Sequence, residues 1–330
     1  MDADHPFDTL TPGFLLDALD STGLRTDGRL LALNSYENRV YQAGIEDAEP
    51  VVVKFYRPGR WSGEQILEEI DFVCDLADCD SPVVVPWADD DGEFLHLYGE
   101  FLFTVSPRRG GRAPELDDLH NLEVFGRTLG RMHQAGSARA FEHRPHLSPV
   151  TFGHDSIAYL LEGEFIPHEL LPSWTAVAEQ VMAVVDERMA AVPAEQYIRV
   201  HGDCHVGNVL WRDDTPWFVD FDDARMAPRM QDLWMLLSGD RERQQQQLHH
   251  LVRGYREFSN FFASELHLVE PLRTLRMLNH SAWIARRWDD PAFPPAFPWF
   301  GTQRYWEQQI LSLKEQLAAM QEPALELDLF

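Results

Sequence analysis

Arg199-Val200-His201-Gly202-Asp203-Cys204-His205-Val206-Gly207-Asn208-Val209-Leu210-Trp211 is followed closely by Trp217-Phe218-Val219-Asp220-Phe221-Asp222-Asp223. Apolar runs flank a polar loop, and the last of them ends on acids. The pattern reads as short strands that present a carboxylate, an amide and a second carboxylate at their ends. Those groups suit phosphoryl transfer, which asks a protein for positioning and charge neutralisation rather than covalent help. One carboxylate orients or deprotonates an acceptor hydroxyl. The other, with the side-chain amide, offers hard oxygens to Mg²⁺.

The spacing supports those roles. His201-Gly202-Asp203 precedes Asn208 at D-x-x-x-x-N, and Asp220 follows the apolar stretch Pro216 to Val219. This is the spacing of a kinase catalytic loop and its metal-binding aspartate. Upstream, Lys54 is the one charge in Val51-Val52-Val53-Lys54-Phe55-Tyr56. An ammonium in such a strand is costly unless it is paired. In a nucleotide site it contacts the α- and β-phosphates and pairs with a helix glutamate. The next helix supplies Glu68 and Glu69, and its phase against Ile66, Val73 and Leu76 favours Glu69, with Glu68 as the alternative. Asn34-Ser35-Tyr36-Glu37-Asn38, between two strands, occupies the place of a phosphate-covering loop in which Ser35 donates from its hydroxyl and backbone N–H.

The rest of the chain divides around these segments. Thr11-Pro12 opens a helix. Leu30 to Leu33, Arg39 to Ala43 and Pro50 to Tyr56 read as strands, and Ser62 with Gln65 has capping-box spacing at the next helix. Strand-like runs follow at Glu93 to Tyr98 and Phe101 to Val105, before Pro107-Arg108-Arg109-Gly110-Gly111 breaks the pattern. Beyond it, helices are expected over Leu119 to Gln134, Trp174 to Met189, Gln231 to Leu237, Glu265 to Arg287 and Tyr305 to Met320. Gln244 to Gln247 reads as a solvated helix face, and Pro291 to Phe300 as a loop.

Composition narrows the function classes. The 330 residues carry a formal net charge of -26, with 45% hydrophobic residues. So acidic a surface repels nucleic acid and anionic membranes, so neither is an expected partner. Cys74, Cys79 and Cys204 form no disulfide framework, and the acidic N-terminus has no apolar run, so a cytosolic location is expected. A zinc site at His201, Asp203, Cys204 and His205 would leave Lys54, Asn208 and Asp220 without a role.

Taken together, these residues resemble the aminoglycoside phosphotransferase/choline kinase superfamily, whose signature is similar to H-G-D-x-H-x-x-N, then h-D-h-[DE]-x-A, then D-L. Here those are His201 to Asn208, Val219 to Ala224, and Asp232-Leu233. Within it, Leu33 to Tyr41, Val52 to Pro58, Gln65 to Glu69, Leu129 to Gln134, Asp290 to Pro294 and Phe297 to Trp299 most resemble the bacterial stress response kinase A group. The resemblance spans nearly the whole chain. It implies an ATP- and Mg²⁺-dependent serine/threonine protein kinase linked to stress responses. Asp203 would be the proton acceptor, Asn208 and Asp220 would bind Mg²⁺, and Ser35 would lie at the ATP site.

The fold expected is α+β and two-lobed, like a protein kinase. Residues 1–105 would form a small sheet with one helix, and residues 106–330 a helical lobe carrying the catalytic loop and metal site. ATP is expected between them, with adenine against Phe103 to Ser106. The protein partner expected is a Ser/Thr-bearing substrate, including the chain itself, and the chain is expected to be a monomer. Two departures stand out. The Asn34 to Asn38 loop lacks G-x-G-x-x-G, and Asp222 stands where D-F-G has glycine. A small-molecule kinase would present the same active-site residues, and a nucleotide-binding interaction module is the non-enzymatic alternative.

Overall fold

The computed structural model describes residues 5–327. Its Cα packing gathers the chain into two compact units. The first holds the described residues up to Pro114 together with Glu142–Arg144 and Gly207–Asp222, and the second holds Glu115–Phe141, Pro145–Val206 and the described residues from Asp223 onward.

The first unit is built on a five-stranded antiparallel sheet, ordered β1-β2-β3-β5-β4. Its strands are β1 (Thr26–Ala32), β2 (Arg39–Ile45), β3 (Val51–Phe55), β4 (His96–Tyr98) and β5 (Phe101–Pro107). Helix α1 (Pro12–Asp20) precedes the sheet, and Thr11 caps it through the Phe14 N–H. Helix α2 (Gly63–Asp78) follows β3, and the Ser62–Gln65 capping box is made in both directions. Period-two alternation decides where the β3 side chains go. Val51, Val53 and Phe55 join Leu15, Leu19, Phe101 and Phe103 in one core. Lys54 therefore faces the opposite side. Strand β3 lies between β2 and β5, with Lys54 opposite Val40 and Thr104, so this lysine is not on a sheet edge.

A hairpin from later in the chain belongs to the same unit. Strands β7 (Val209–Arg212) and β8 (Thr215–Phe218) pair with each other. Phe218 N–H donates to Pro82 O at 2.9 Å, and Trp211 exchanges backbone hydrogen bonds with Arg112 at 2.8 and 3.1 Å.

The second unit is mainly helical: α3 (Leu119–Gly136), α4 (Asp155–Glu162), α5 (Leu171–Met189), α6 (Met230–Leu233), α7 (Arg241–Tyr255), α8 (Val269–Arg286), α9 (Phe293–Ala296) and α10 (Gln303–Gln321). Strands β6 (Ile198–Val200) and β9 (Arg225–Ala227) pair within it. The backbones of α3 and α7 come close because both sides of the crossing lack a side chain. A Cβ on Gly126 would lie 2.0 Å from Leu251 O, and one on Gly254 would lie 2.1 Å from Glu123 O.

Several local expectations need correction. Strand β1 starts at Thr26 rather than Leu30, because a register shift after Thr26, where Gly28 has φ +85°, lets a polar Thr-Asp-Gly-Arg stretch join the ladder. Gln247 is fully buried rather than solvated, and its Oε1 accepts the Ser238 N–H at 2.8 Å. The helix expected from Glu265 begins at Val269, after a 3₁₀ turn. That expected over Gln231 to Leu237 is only the single turn of α6 followed by 3₁₀. The stretch from Pro291 to Phe300 contains the short helix α9, and helix α4 gave no clear signal in sequence. Among the described residues no helix is long and apolar enough to cross a membrane.

Candidate active site

In the first unit, Lys54 meets three acids. Its Nζ lies 3.1 Å from Glu69 Oε1, 3.4 Å from Asp220 Oδ1 and 3.1 Å from Asp222 Oδ1. The contact with Asp222 Oδ1 is an ion pair without hydrogen-bond alignment. Two arginines balance the acids: Arg60 pairs with Asp222, and Arg144 Nη1 lies 3.3 Å from Glu69 Oε2. Glu68 plays a different part. Its carboxylate accepts the backbone N–H groups of Glu142, His143 and Arg144 at 2.5 to 3.0 Å, which delivers Arg144 to its place beside Glu69.

Burial sets the proton affinities of this cluster. Burial alone pushes the Asp222 carboxyl up. The Arg60, Lys54 and Arg144 cations overcome it and hold the group well below the ordinary carboxylate range. For Glu69 burial wins, despite Lys54 and Arg144, and its carboxyl is raised. Burial pulls the Lys54 ammonium down, but Asp222 and Glu69 hold it well above its ordinary value.

These shifts have opposite consequences for stability. The Asp222 contribution is present above the ordinary 3.8 and is lost as pH falls toward its folded value. The Lys54 contribution is present below 10.5 and is lost only as pH rises through its higher folded value. Glu69 opposes Asp222, because a raised carboxyl loses stability as pH rises past 4.5. Asp222→Asn should therefore flatten the acid side of a plot of melting temperature against pH. At neutral pH it should destabilise by about 3–5 kcal/mol, because it strands buried cations. Thermal unfolding followed by circular dichroism across acid and neutral pH checks both effects.

The β7–β8 hairpin sets Asn208 and Asp220 at one end. Val209 pairs with Phe218, and Val219 N–H donates to Asn208 O at 3.0 Å, so the ladder continues up to Asp220. Asp220 then adopts φ +61°, a left-handed conformation that aspartate tolerates better than most residues. Its side chain is half exposed (53%). An exposed carboxylate and a side-chain amide carried at one end of the same hairpin are the kind of donors that fit Mg²⁺, which favours hard oxygens and retains waters.

The loop from Asn34 to Asn38 is pinned by Arg57. Its Nε donates to Glu37 O at 2.9 Å and pairs with Glu37 Oε1 at 3.0 Å, and its backbone N–H donates to Asn38 Oδ1 at 3.0 Å. Ser35 is half-buried inside that loop.

Asp203 lies in the second unit. The β6 strand ends at Val200, and Asp232 from α6 holds the turn that follows. Its carboxylate accepts the His201 N–H at 2.8 Å and the Gly202 N–H at 2.9 Å. His133 Nε2 lies 3.2 Å from the same carboxylate, and its Nδ1 lies 2.9 Å from Tyr255 Oη. Asp232 is thus the brace of the loop backbone. Gly202 has φ +86°, and a Cβ there would sit 2.1 Å from Asp223 O. Gly202→Ala should cost about 1–3 kcal/mol from backbone strain alone and displace Asp203. Urea unfolding alongside an activity assay checks this. An alanine variant with unchanged stability and activity would contradict the reading.

The Asp203 carboxylate itself meets Arg276 of α8 through Oδ1, and His205 Nε2 lies 3.3 Å from Oδ2. Cys204 beside it is fully buried, and burial pushes its thiol well up, so it packs rather than reacts.

Lys54, Glu69 and Asp220 are therefore brought together with Asn208 on the same hairpin, Ser35 stands in its own pinned loop, and Asp203 stands in the second unit. Sequence reading missed Arg60, Arg144 and Arg276, which carry no local motif, and the part played by Asp222. Its signals were the acid at the [DE] position of the family signature and in the glycine position of D-F-G.

The model of the phosphotransferase enzyme family matches residues 29–267, more than half the chain. The chain is also 46% identical over 328 residues to the stress response kinase A of Escherichia coli (strain K12), covering 97% of each. The chain belongs to the stress response kinase A family, within the phosphotransferase enzyme family. A further relative, the serine/threonine protein kinase RdoA of Salmonella typhimurium (strain LT2), is 42% identical over 321 residues, again covering 97% of each. Among solved structures, the amicoumacin kinase hAmiN in complex with AMP-PNP, Ca²⁺ and Ami superposes with a TM-score of 0.72 at 17% identity, covering 94% of both chains. A microcompartment-associated aminopropanol kinase gives 0.71 at 18% identity, covering 93% of this chain and 96% of that one. At such identities the likeness shows the fold alone, and that fold is the α+β, kinase-like class expected from sequence. This member of the family is a phosphotransferase of the kinase type.

Proposed function

We infer that the chain transfers the γ-phosphoryl group of Mg²⁺-bound ATP to a serine or threonine hydroxyl of a protein in the cytoplasm, as part of a stress response. The observation that best supports nucleotide use is the Lys54 cluster. A lysine on an interior strand pairs with a helix glutamate and touches the aspartate that ends the β7–β8 hairpin. Packing alone gives no reason to bury a cation among three acids, since apolar residues of similar size would cost less. Triphosphate binding does.

In this reading Lys54, held by Glu69, binds the α- and β-phosphates, and Ser35 donates to a phosphate oxygen from its pinned loop. Asn208 and Asp220 would hold Mg²⁺, which would supply neutralisation of phosphate charge. Asp203 orients the acceptor hydroxyl and takes its proton. The hydroxyl oxygen forms the new P–O bond, the β,γ-bridging P–O bond breaks, and ADP departs with that electron pair.

The choice of a protein acceptor is supported by the relative named as a serine/threonine protein kinase, 42% identical over 321 residues. The competing acceptor is a small hydroxyl compound, as the names of the two structural neighbours suggest for those proteins. Purified protein, γ-labelled ATP and a panel of proteins and small alcohols distinguish them, with Asp203→Asn as the control. Label in protein, the chain itself included, supports the reading. Label confined to a small alcohol overturns the acceptor class, and no label anywhere overturns the enzyme.

A further inference from the structure

Helix α8 brings a guanidinium to the carboxylate assigned above as proton acceptor. Arg276 Nη1 pairs with Asp203 Oδ1, and Met235 Sδ lies 3.6 Å from the same nitrogen. The Arg276 side chain is 38% exposed, so a ligand can reach it. Other arginines of α8 are engaged elsewhere: Arg273 pairs with Glu270 at 3.4 Å, and Arg286 lies over the Tyr159 ring at 5.1 Å.

We propose that Arg276 selects the acceptor, exchanging Asp203 for an anionic group carried beside the acceptor hydroxyl, so that hydroxyls flanked by carboxylates are phosphorylated in preference to hydroxyls flanked by amines. The inference rests on the assignment of Asp203 as proton acceptor. A guanidinium seated on Asp203 Oδ1 occupies a position that an acceptor hydroxyl would need. A hydroxyl approaching Asp203 Oδ1 must compete with Arg276 for that oxygen, while Oδ2 faces His205 Nε2. A carboxylate on the acceptor offers Arg276 an equivalent partner, and a guanidinium binds carboxylates with favourable planar geometry. The swap releases Asp203 Oδ1 from Arg276 at little net loss. An amine on the acceptor does the reverse, since it is repelled by Arg276 and leaves it seated on Asp203. The chain carries a formal net charge of -26, which disfavours anions at long range. A cation beside the acceptor position therefore supplies selection that the overall charge opposes.

Three synthetic peptides test this, each with one serine flanked by Asp, Ala or Lys. They are assayed with Mg²⁺-ATP and the full chain as wild type, Arg276→Lys, Arg276→Glu and Asp203→Asn. Wild type should favour the Asp-flanked peptide over the Lys-flanked one by about tenfold in kcat/KM, because like charges placed together carry a large penalty. Arg276→Lys should keep that order, and Arg276→Glu should reverse it with the KM for ATP unchanged. A uniform fall for all three peptides in Arg276→Glu would make Arg276 structural only and overturn the proposal, as would a wild-type preference for the Lys-flanked peptide. If no peptide is phosphorylated, glycerate and choline replace them. A preference for glycerate that reverses in Arg276→Glu keeps the inference while the protein-kinase reading fails, and a preference for choline overturns it. Full activity of Asp203→Asn would overturn the proton-acceptor assignment, and the inference with it.

Discussion

Asp203→Asn is expected to fold normally and to lose phosphoryl transfer by about 10²–10⁴-fold, the range general-base groups contribute. The two halves of that expectation have separate causes. Asp203 is a partly exposed residue (21%) paired with Arg276 and His205, each 38% exposed. Removing its charge leaves partners that water can solvate, so the change in stability should be about 0–1 kcal/mol. The loop is braced instead by Asp232, which bonds the His201 and Gly202 backbone and is untouched by the substitution. Asparagine cannot take a proton from a hydroxyl. Rates with Mg²⁺-ATP and matched urea unfolding curves test this. An active variant would remove Asp203 from the chemistry, and an unfolded one would show that its pairing with Arg276 is a structural need.

Lys54→Met should strongly affect both properties. It leaves Glu69 and Asp222, 7% and 5% exposed, sharing a buried site with one cation fewer. Breaking a buried pair from one side costs about 3–5 kcal/mol, because the orphaned charge stays in low dielectric. Arg60 and Arg144 remain and should hold the cost toward the lower end. Activity should be lost through the phosphate contact. A second substitution separates the two losses. Lys54→Met with Glu69→Gln removes the stranded carboxylate and should recover much of the stability, while transfer stays lost. Were activity to return with stability, Lys54 would be only a structural cation.

Much of the site is legible in the chain because its geometry is local. The catalytic loop, the hairpin and the strand that follows lie within a few residues of each other, and their spacing holds wherever short strands end in turns. The placement of Lys54 is legible too, since period-two alternation puts it on the face opposite Val53 and Phe55. The choice between Glu68 and Glu69 was carried by helical phase and comes out with Glu69 toward Lys54. Arg144 is different. It stands 75 residues from Glu69 and reaches it because Glu68 captures three backbone N–H groups of the Glu142–Arg144 segment. No local pattern encodes that capture.

By itself, the sequence determined the fold class and the family, and it singled out the acids and the amide of the candidate site, because each is written in residue types at short spacing. Tertiary structure alone decided which cations balance those acids. Arg60 on Asp222, Arg144 on Glu69 and Arg276 on Asp203 are ion pairs spanning 162, 75 and 73 residues. Such pairs depend on where helices and loops come to rest. Charge acts through space, so its partners are fixed by the packed fold and not by order along the chain.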